Sequence, residues 1–197
     1  MSNKQYIKTD GSETHYYSDR GMTVRHREDG PAVEFDSGHT AWYINGERHR
    51  EDGPAIEYAD GNKYWYINNK LHREDGPAIE YADGHKEWHI NGKCHREDGP
   101  AREWADGYKA WWIGGKLHRE DGPAVEGVNG DKAWYINGMS HREDGPAIVY
   151  ADGRKEWYLN DKYLTEEEFN TRMCIELTLE EIAKKFGVSV DKLKIKA

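Results

Sequence analysis

The chain has 197 residues, 36% of them hydrophobic and 33% charged, with a formal net charge of −9. That acidic balance argues against nonspecific nucleic-acid binding and against docking on anionic membranes, since both need a surplus of Lys and Arg facing phosphates. Two Cys make no disulfide framework, and no apolar run has the length of a signal-peptide core or a transmembrane span, so a soluble, cytoplasmic protein is expected.

Apolar area comes mainly from eight Trp and thirteen Tyr, against three Phe. Each Trp and Tyr carries a polar tip, which suits a thin core close to water. Residues 1–25 read as a degenerate capping repeat: Thr9–Gly11 and His15–Tyr17 are partial copies of the regular unit, with a longer turn around Gly21. From His26 the string HREDGPA recurs at His49, His72, His95, His118 and His141, always 23 residues apart, and defines six units over 26–163.

With the His of each unit taken as position 1, all six Pro fall at position 6, and Trp42, Trp65, Trp88, Trp111, Trp134 and Trp157 fall at position 17. In four of the six units two runs rich in β-branched and aromatic residues flank an Asp-Gly at positions 12 and 13, which predicts a hairpin with a two-residue turn. That turn sets position 8 opposite position 17 and gathers 8, 10, 17 and 19 on one face. The other face then carries the Glu at 9, the variable 14 and 16, and the aromatic at 18. A second turn is expected at Asn45-Gly46, Asn91-Gly92 and Asn137-Gly138, leading into either a third short strand or a loop. Pro at position 6 suits a strand start or an edge.

After Tyr163 the period changes to 3.6 residues. Thr165 with Glu168 forms a capping box, with Leu164 and Phe169 placed as a hydrophobic staple, and Thr178 with Glu181 forms a second box ending near Gly187. Residues 164–197 are therefore expected to be a helical C-terminal cap. The expected fold is mainly β: an elongated antiparallel β-hairpin repeat array with that small cap.

The copies of "YADGNKYWYINNKLHREDGPA", from His26 to Tyr163, resemble the MORN repeat and its bacterial relatives in spacing and turn placement. They depart from it in content, with DGPA where a Gly-x-Gly is usual. Chains with this HREDGPA version resemble proteins encoded by tailed bacteriophages. The resemblance implies a single twisted sheet of stacked hairpins, used as a scaffold for contacts.

His, Glu and Asp within one HRED could suggest metal ligands or an acid–base pair. A metal site needs three or four converging ligands, and catalysis needs one asymmetric constellation, so six equivalent copies favour a structural connector, with neither enzyme activity nor a cofactor expected. In that connector His is expected to pack on Trp, and Arg at position 2 to approach the Glu at 9. "TLEEIAKKFGVSVDKL" resembles the start of a helix-turn-helix, but only VDKLKIKA remains for a recognition helix, which favours a cap or docking segment.

Departures from the consensus are the more informative positions. Repeat four has Arg102 at position 8, expected to stack on Trp111, together with Trp104, Tyr108, Trp112 and Gly114; repeat five breaks pattern at Gly127, Val128 and Asn129. The candidate partner-binding residues are Arg102, Trp104, Tyr108 and Trp112, with His89 and Tyr135 from the repeats on either side. The expected function is recognition of a protein partner, in concrete form a host protein inhibited or modulated by a phage product. An acidic mimic of nucleic acid, occupying the basic groove of a nucleic-acid-binding complex, is the alternative. Open sheet edges would also let two copies of the chain pair.

Overall fold

A computed structural model describes residues 5–173 together with 183, 184 and 189. Fifteen strands form one antiparallel sheet, ordered almost entirely along the chain, and five two-stranded hairpins accompany it. Among the described residues the protein is mainly β, with a short helix, α1 (Glu166–Met173), near the C-terminus.

Each unit contributes two very short strands to the long sheet, at positions 8–9 and 15–16, as in Ile56–Glu57 and Lys63–Tyr64. Their register corrects the expectation. Ile56 pairs with Tyr64 and Glu57 with Lys63, so position 8 lies opposite position 16, not position 17. The turn has three residues instead of two. In repeat two the Tyr58 N–H donates to the Asn62 carbonyl at 2.9 Å, and the Gly61 N–H donates back to the Tyr58 carbonyl at 3.0 Å. Gly61 has a φ of 96°, which closes a type I turn with a left-handed residue, the usual three-residue hairpin.

Because side chains alternate with period two, one extra loop residue exchanges the faces. Positions 8, 10, 14 and 16 share one face with position 18. On the other, Trp at 17 lies with the Glu at 9 and the residue at 15. That row alternates in sign across the strands, Glu57–Lys63–Glu80–Lys86–Glu103–Lys109.

The second turn matches expectation. Positions 20 and 21 both have positive φ (51° and 83° at Asn45 and Gly46), and a third short strand comes next at 22–23, such as Glu47–Arg48. Positions 1–7 then form a structured loop. Successive units are stitched by main-chain bonds: the Trp65 N–H donates to the Ala78 carbonyl at 2.8 Å, and the Gly92 N–H to the Leu71 carbonyl at 2.8 Å. Ala at position 7 is fully buried in all six units, so this small residue forms the continuous core, while the Trp residues are half-buried above it.

At the N-terminus, Tyr6–Asp10 and Glu13–Tyr17 form a hairpin whose second strand pairs with Val33–Phe35. At the other end the Thr165 N–H donates to Glu168 Oε2 at 2.9 Å and the Glu168 N–H to Thr165 Oγ1 at 3.1 Å, closing the capping box. Leu164 and Phe169 are buried beneath it at 1% and 4% exposure, as the staple requires. The Thr178–Glu181 box and the segment after Gly187 lie outside the described residues.

Candidate functional site: a column of rings that ends in repeat four

The connector accounts for its own letters. Arg96, at position 2, lies over the Trp88 ring of the preceding unit at 4.1 Å, and the equivalent Arg–Trp distances elsewhere are 4.0–4.2 Å. Its Nε donates to Asp98 at 2.8 Å, and its Nη1 donates to the Pro100 carbonyl at 3.2 Å and to Glu103 at 3.0 Å. A Cβ on Gly99 would stand 2.9 Å from the guanidinium carbon, so only Gly lets Arg lie flat there. The residue stacked on Trp is therefore Arg, in place of the expected His. The His95 ring accepts the Gly114 N–H on Nδ1 at 3.0 Å, capping the second turn of its own unit.

Hydrogen bonds from Arg73, Arg96 and Arg119 hold the carboxyls of Asp75, Asp98 and Asp121 below the ordinary carboxylate value. Among the described residues no group of three or more His, Cys, Asp or Glu is arranged to hold a metal ion. HREDGPA is thus a structural joint in which His, Arg, Asp and Gly are engaged and the Glu at position 3 stays largely exposed.

The opposite face carries a feature that the repeat pattern alone did not reveal. Positions 10 and 14, which close each three-residue turn, place rings side by side, and in repeat two, where Asn62 stands at 14, Tyr64 at position 16 bridges the gap. Phe35, His39, Tyr58, Tyr64, Tyr81, His85, Trp104 and Tyr108 form an unbroken column with successive centroids 4.3–6.2 Å apart. The sequence signal was available: repeats one, three and four each carry a ring at both 10 and 14. Trp104 and Tyr108 are the last pair, tilted by 38° with centroids 4.6 Å apart. In repeat five the same positions are Gly127 and Asp131, and the column stops.

At that stop, Trp104 is 42% and Val128 58% exposed. A Cβ on Gly107 would stand 3.9 Å from Val128 Cγ1, so Val128 lies against the turn that begins at Trp104. In repeats two, three, four and six position 11 is Ala.

The remaining candidates are placed differently. Arg102 lies over Trp112 at 5.2 Å, and Trp111 is covered by Arg119 at 4.0 Å, which corrects the expected Arg102–Trp111 stack. Arg102 also pairs with Glu87 across the strands at 3.4 Å, and Glu87 accepts from His89 Nε2 at 2.9 Å. That His89 hydrogen bond, with Arg102 nearby, keeps the Glu87 carboxyl below its ordinary value despite burial. His89 itself is 7% exposed, which removes it from any contact surface. Cys94, also buried, directs its Sγ to the Ala101 carbonyl at 3.7 Å; burial pushes its thiol up to about 11, so it is no activated nucleophile. Arg102, Trp112 and Tyr135 are half-buried beside Tyr108, whose hydroxyl is raised chiefly by burial. The structure thus brings Trp104 and Tyr108 together, places Arg102 and Tyr135 near the Tyr108 hydroxyl, and adds Val128 to the exposed set.

No protein-family model matches the chain, and no curated protein matches it. Among the described residues no helix is long and apolar enough to cross a membrane.

Proposed function

We propose that the chain is a non-enzymatic, MORN-like binding scaffold that recognises a protein partner through the turn edge of repeats four and five. The observation that carries this reading is the end of the ring column: Trp104 and Tyr108 are succeeded by no ring in repeat five, and Val128 is exposed beside them. An exposed Trp stacked beside a half-buried Tyr, with Arg102 nearby, has the composition of an interface hot spot. An aromatic side chain from the partner would continue the column with the same edge and face contacts. The net charge of −9 would steer a basic partner towards the scaffold. The resemblance of the HREDGPA units to phage-encoded chains makes a bacterial host protein, including a defence component, the concrete partner.

The acidic-mimic reading draws less support. Asp at position 4 is spent on Arg, which leaves the Glu at position 3, near its own His but largely exposed, as the outward carboxylate of each connector. One such charge per two strand spacings, about 10 Å, is sparse beside the charge per ~1.7 Å of duplex DNA.

The test is a binding titration of the partner against Trp104→Ala and Tyr108→Ala, each compared with the parent for melting temperature. Truncation of Trp104 is expected to cost about 2 kcal/mol of binding, roughly 30-fold, with melting little changed. Unchanged affinity in both variants would refute the site.

A further inference from the structure

Successive connectors enclose equivalent clefts on the side of the protein away from Trp104. Four of them have volumes of 610–860 Å³. Each is bounded by the Arg-Glu-Asp of two consecutive connectors and floored by the Trp at 17 and the Ile at 19, as with Trp65 and Ile67 or Trp88 and Ile90.

The charge balance within a unit is uneven. Arg at position 2 is shared between Asp at 4 and, in repeats one to five, Glu at 9. Glu at position 3 stands 3.6–3.8 Å from the His Nε2 of its own connector. The side chains of Glu51, Glu74, Glu97 and Glu120 are 85–86% exposed. The rim of each of these clefts therefore carries two Arg against four carboxylates, a net negative charge, over a floor of Ile and the Arg-covered Trp.

The spacing restricts what fits. Each unit adds two strands to the sheet, so the clefts repeat about every 9.6 Å. A polyproline II segment advances ~3.1 Å per residue with three residues per turn, and so presents every third side chain on one side at about 9.3 Å. A β-strand covers a similar length in three residues, but its side chains alternate, and every third residue would point the opposite way. We infer that the connector groove binds an extended, polyproline II-type peptide carrying Lys or Arg at every third position, one basic side chain per cleft. The Ile at position 19 and the edge of the Trp, whose face the Arg at position 2 covers, receive the aliphatic stem, and the Glu at position 3 receives the charge. Each further matched residue then binds as an intramolecular event, so affinity climbs with the number of clefts engaged.

This groove shares no residue with the patch at Trp104 and Val128, and the two stand or fall separately. The test titrates the full chain, by calorimetry at about 150 mM salt, with three peptides of equal charge: (Pro-Pro-Arg)4, (Pro-Arg)4 and (Pro-Pro-Pro-Arg)4. The three-residue spacing is expected to bind at least tenfold tighter than the other two. A quadruple variant, Glu51→Gln, Glu74→Gln, Glu97→Gln and Glu120→Gln, is expected to lose that preference while melting like the parent. Equal binding of the three peptides would reduce the groove to plain charge attraction and overturn the inference. Absence of binding, or an unchanged preference in the quadruple variant, would overturn it as well.

Discussion

Arg at position 2 is the residue on which the most interactions converge. At Arg96 a stack on Trp88, two carboxylates and a proline carbonyl all meet one half-buried guanidinium, and Gly99 exists to let it lie there. Arg96→Ala is expected to destabilise by about 1–3 kcal/mol, and Gly99→Ala by a similar amount through the clash with the guanidinium. Because both act on one contact, a double-mutant cycle in denaturant should show Gly99→Ala to be nearly free of cost once Arg96 is gone; additive losses would contradict the geometry. The same Arg residues set a pH dependence. Asp52, Asp75, Asp98, Asp121 and Asp144 all have carboxyls lowered from 3.8, with the Arg hydrogen bond as the largest cause. A lowered folded-state value means that the ionised form favours folding, so this stability is complete above about pH 4 and is lost as pH falls below it. Melting measured from pH 7 to pH 2.5 should show that loss. Asp75→Asn, Asp98→Asn and Asp121→Asn together should lower the melting point at pH 7 and make the acid drop shallower.

At the scale of the element, the two hairpins of each unit differed in how far they could be read. The Asn-Gly turn needs positive φ at both central residues, a requirement visible in the letters themselves, and its type and pairing were legible. Asp-Gly serves a two-residue turn equally well as the end of a three-residue turn, so its dipeptide left the register open by one. The decisive evidence lay in the flanking pairs, ring with ring at 10 and 14 and Glu with Lys at 9 and 15, which face each other only across three residues. That one-residue error put Trp on the wrong face and concealed the ring column, although Trp104 and Tyr108 were still recognisable as departures from the repeat. The cation–π partner of Arg102 was misassigned for the same reason. Deleting Lys86 would keep the three-residue turn of repeat three but move Trp88 into the register of position 16, on the face away from Arg96. A loss on the order of 3 kcal/mol and a broadened melting transition by near-UV circular dichroism are expected. Melting like that of the parent would show that the register counted from the three-residue turn does not set the faces.

Over the whole molecule, stability and the proposed recognition fall to different letters. The connectors and the Ala core repeat with little change and bond each unit to its neighbours, so damage in one unit is felt mainly by those beside it. The ring column runs through four units and ends at Gly127, and two of the eight Trp lie in repeat four outside position 17. Such an asymmetry gives a regular array one place unlike the others, where a single partner can be told from many. The most direct measurement is affinity capture from a bacterial host lysate with the parent, Trp104→Ala and Val128→Asp chains, washed at low and at about 0.5 M salt. A host protein held by the parent through the high-salt wash and lost with both variants is the result the account predicts. Capture that ignores both substitutions, is released by salt and is displaced by added DNA would contradict it and return the function to the acidic connectors.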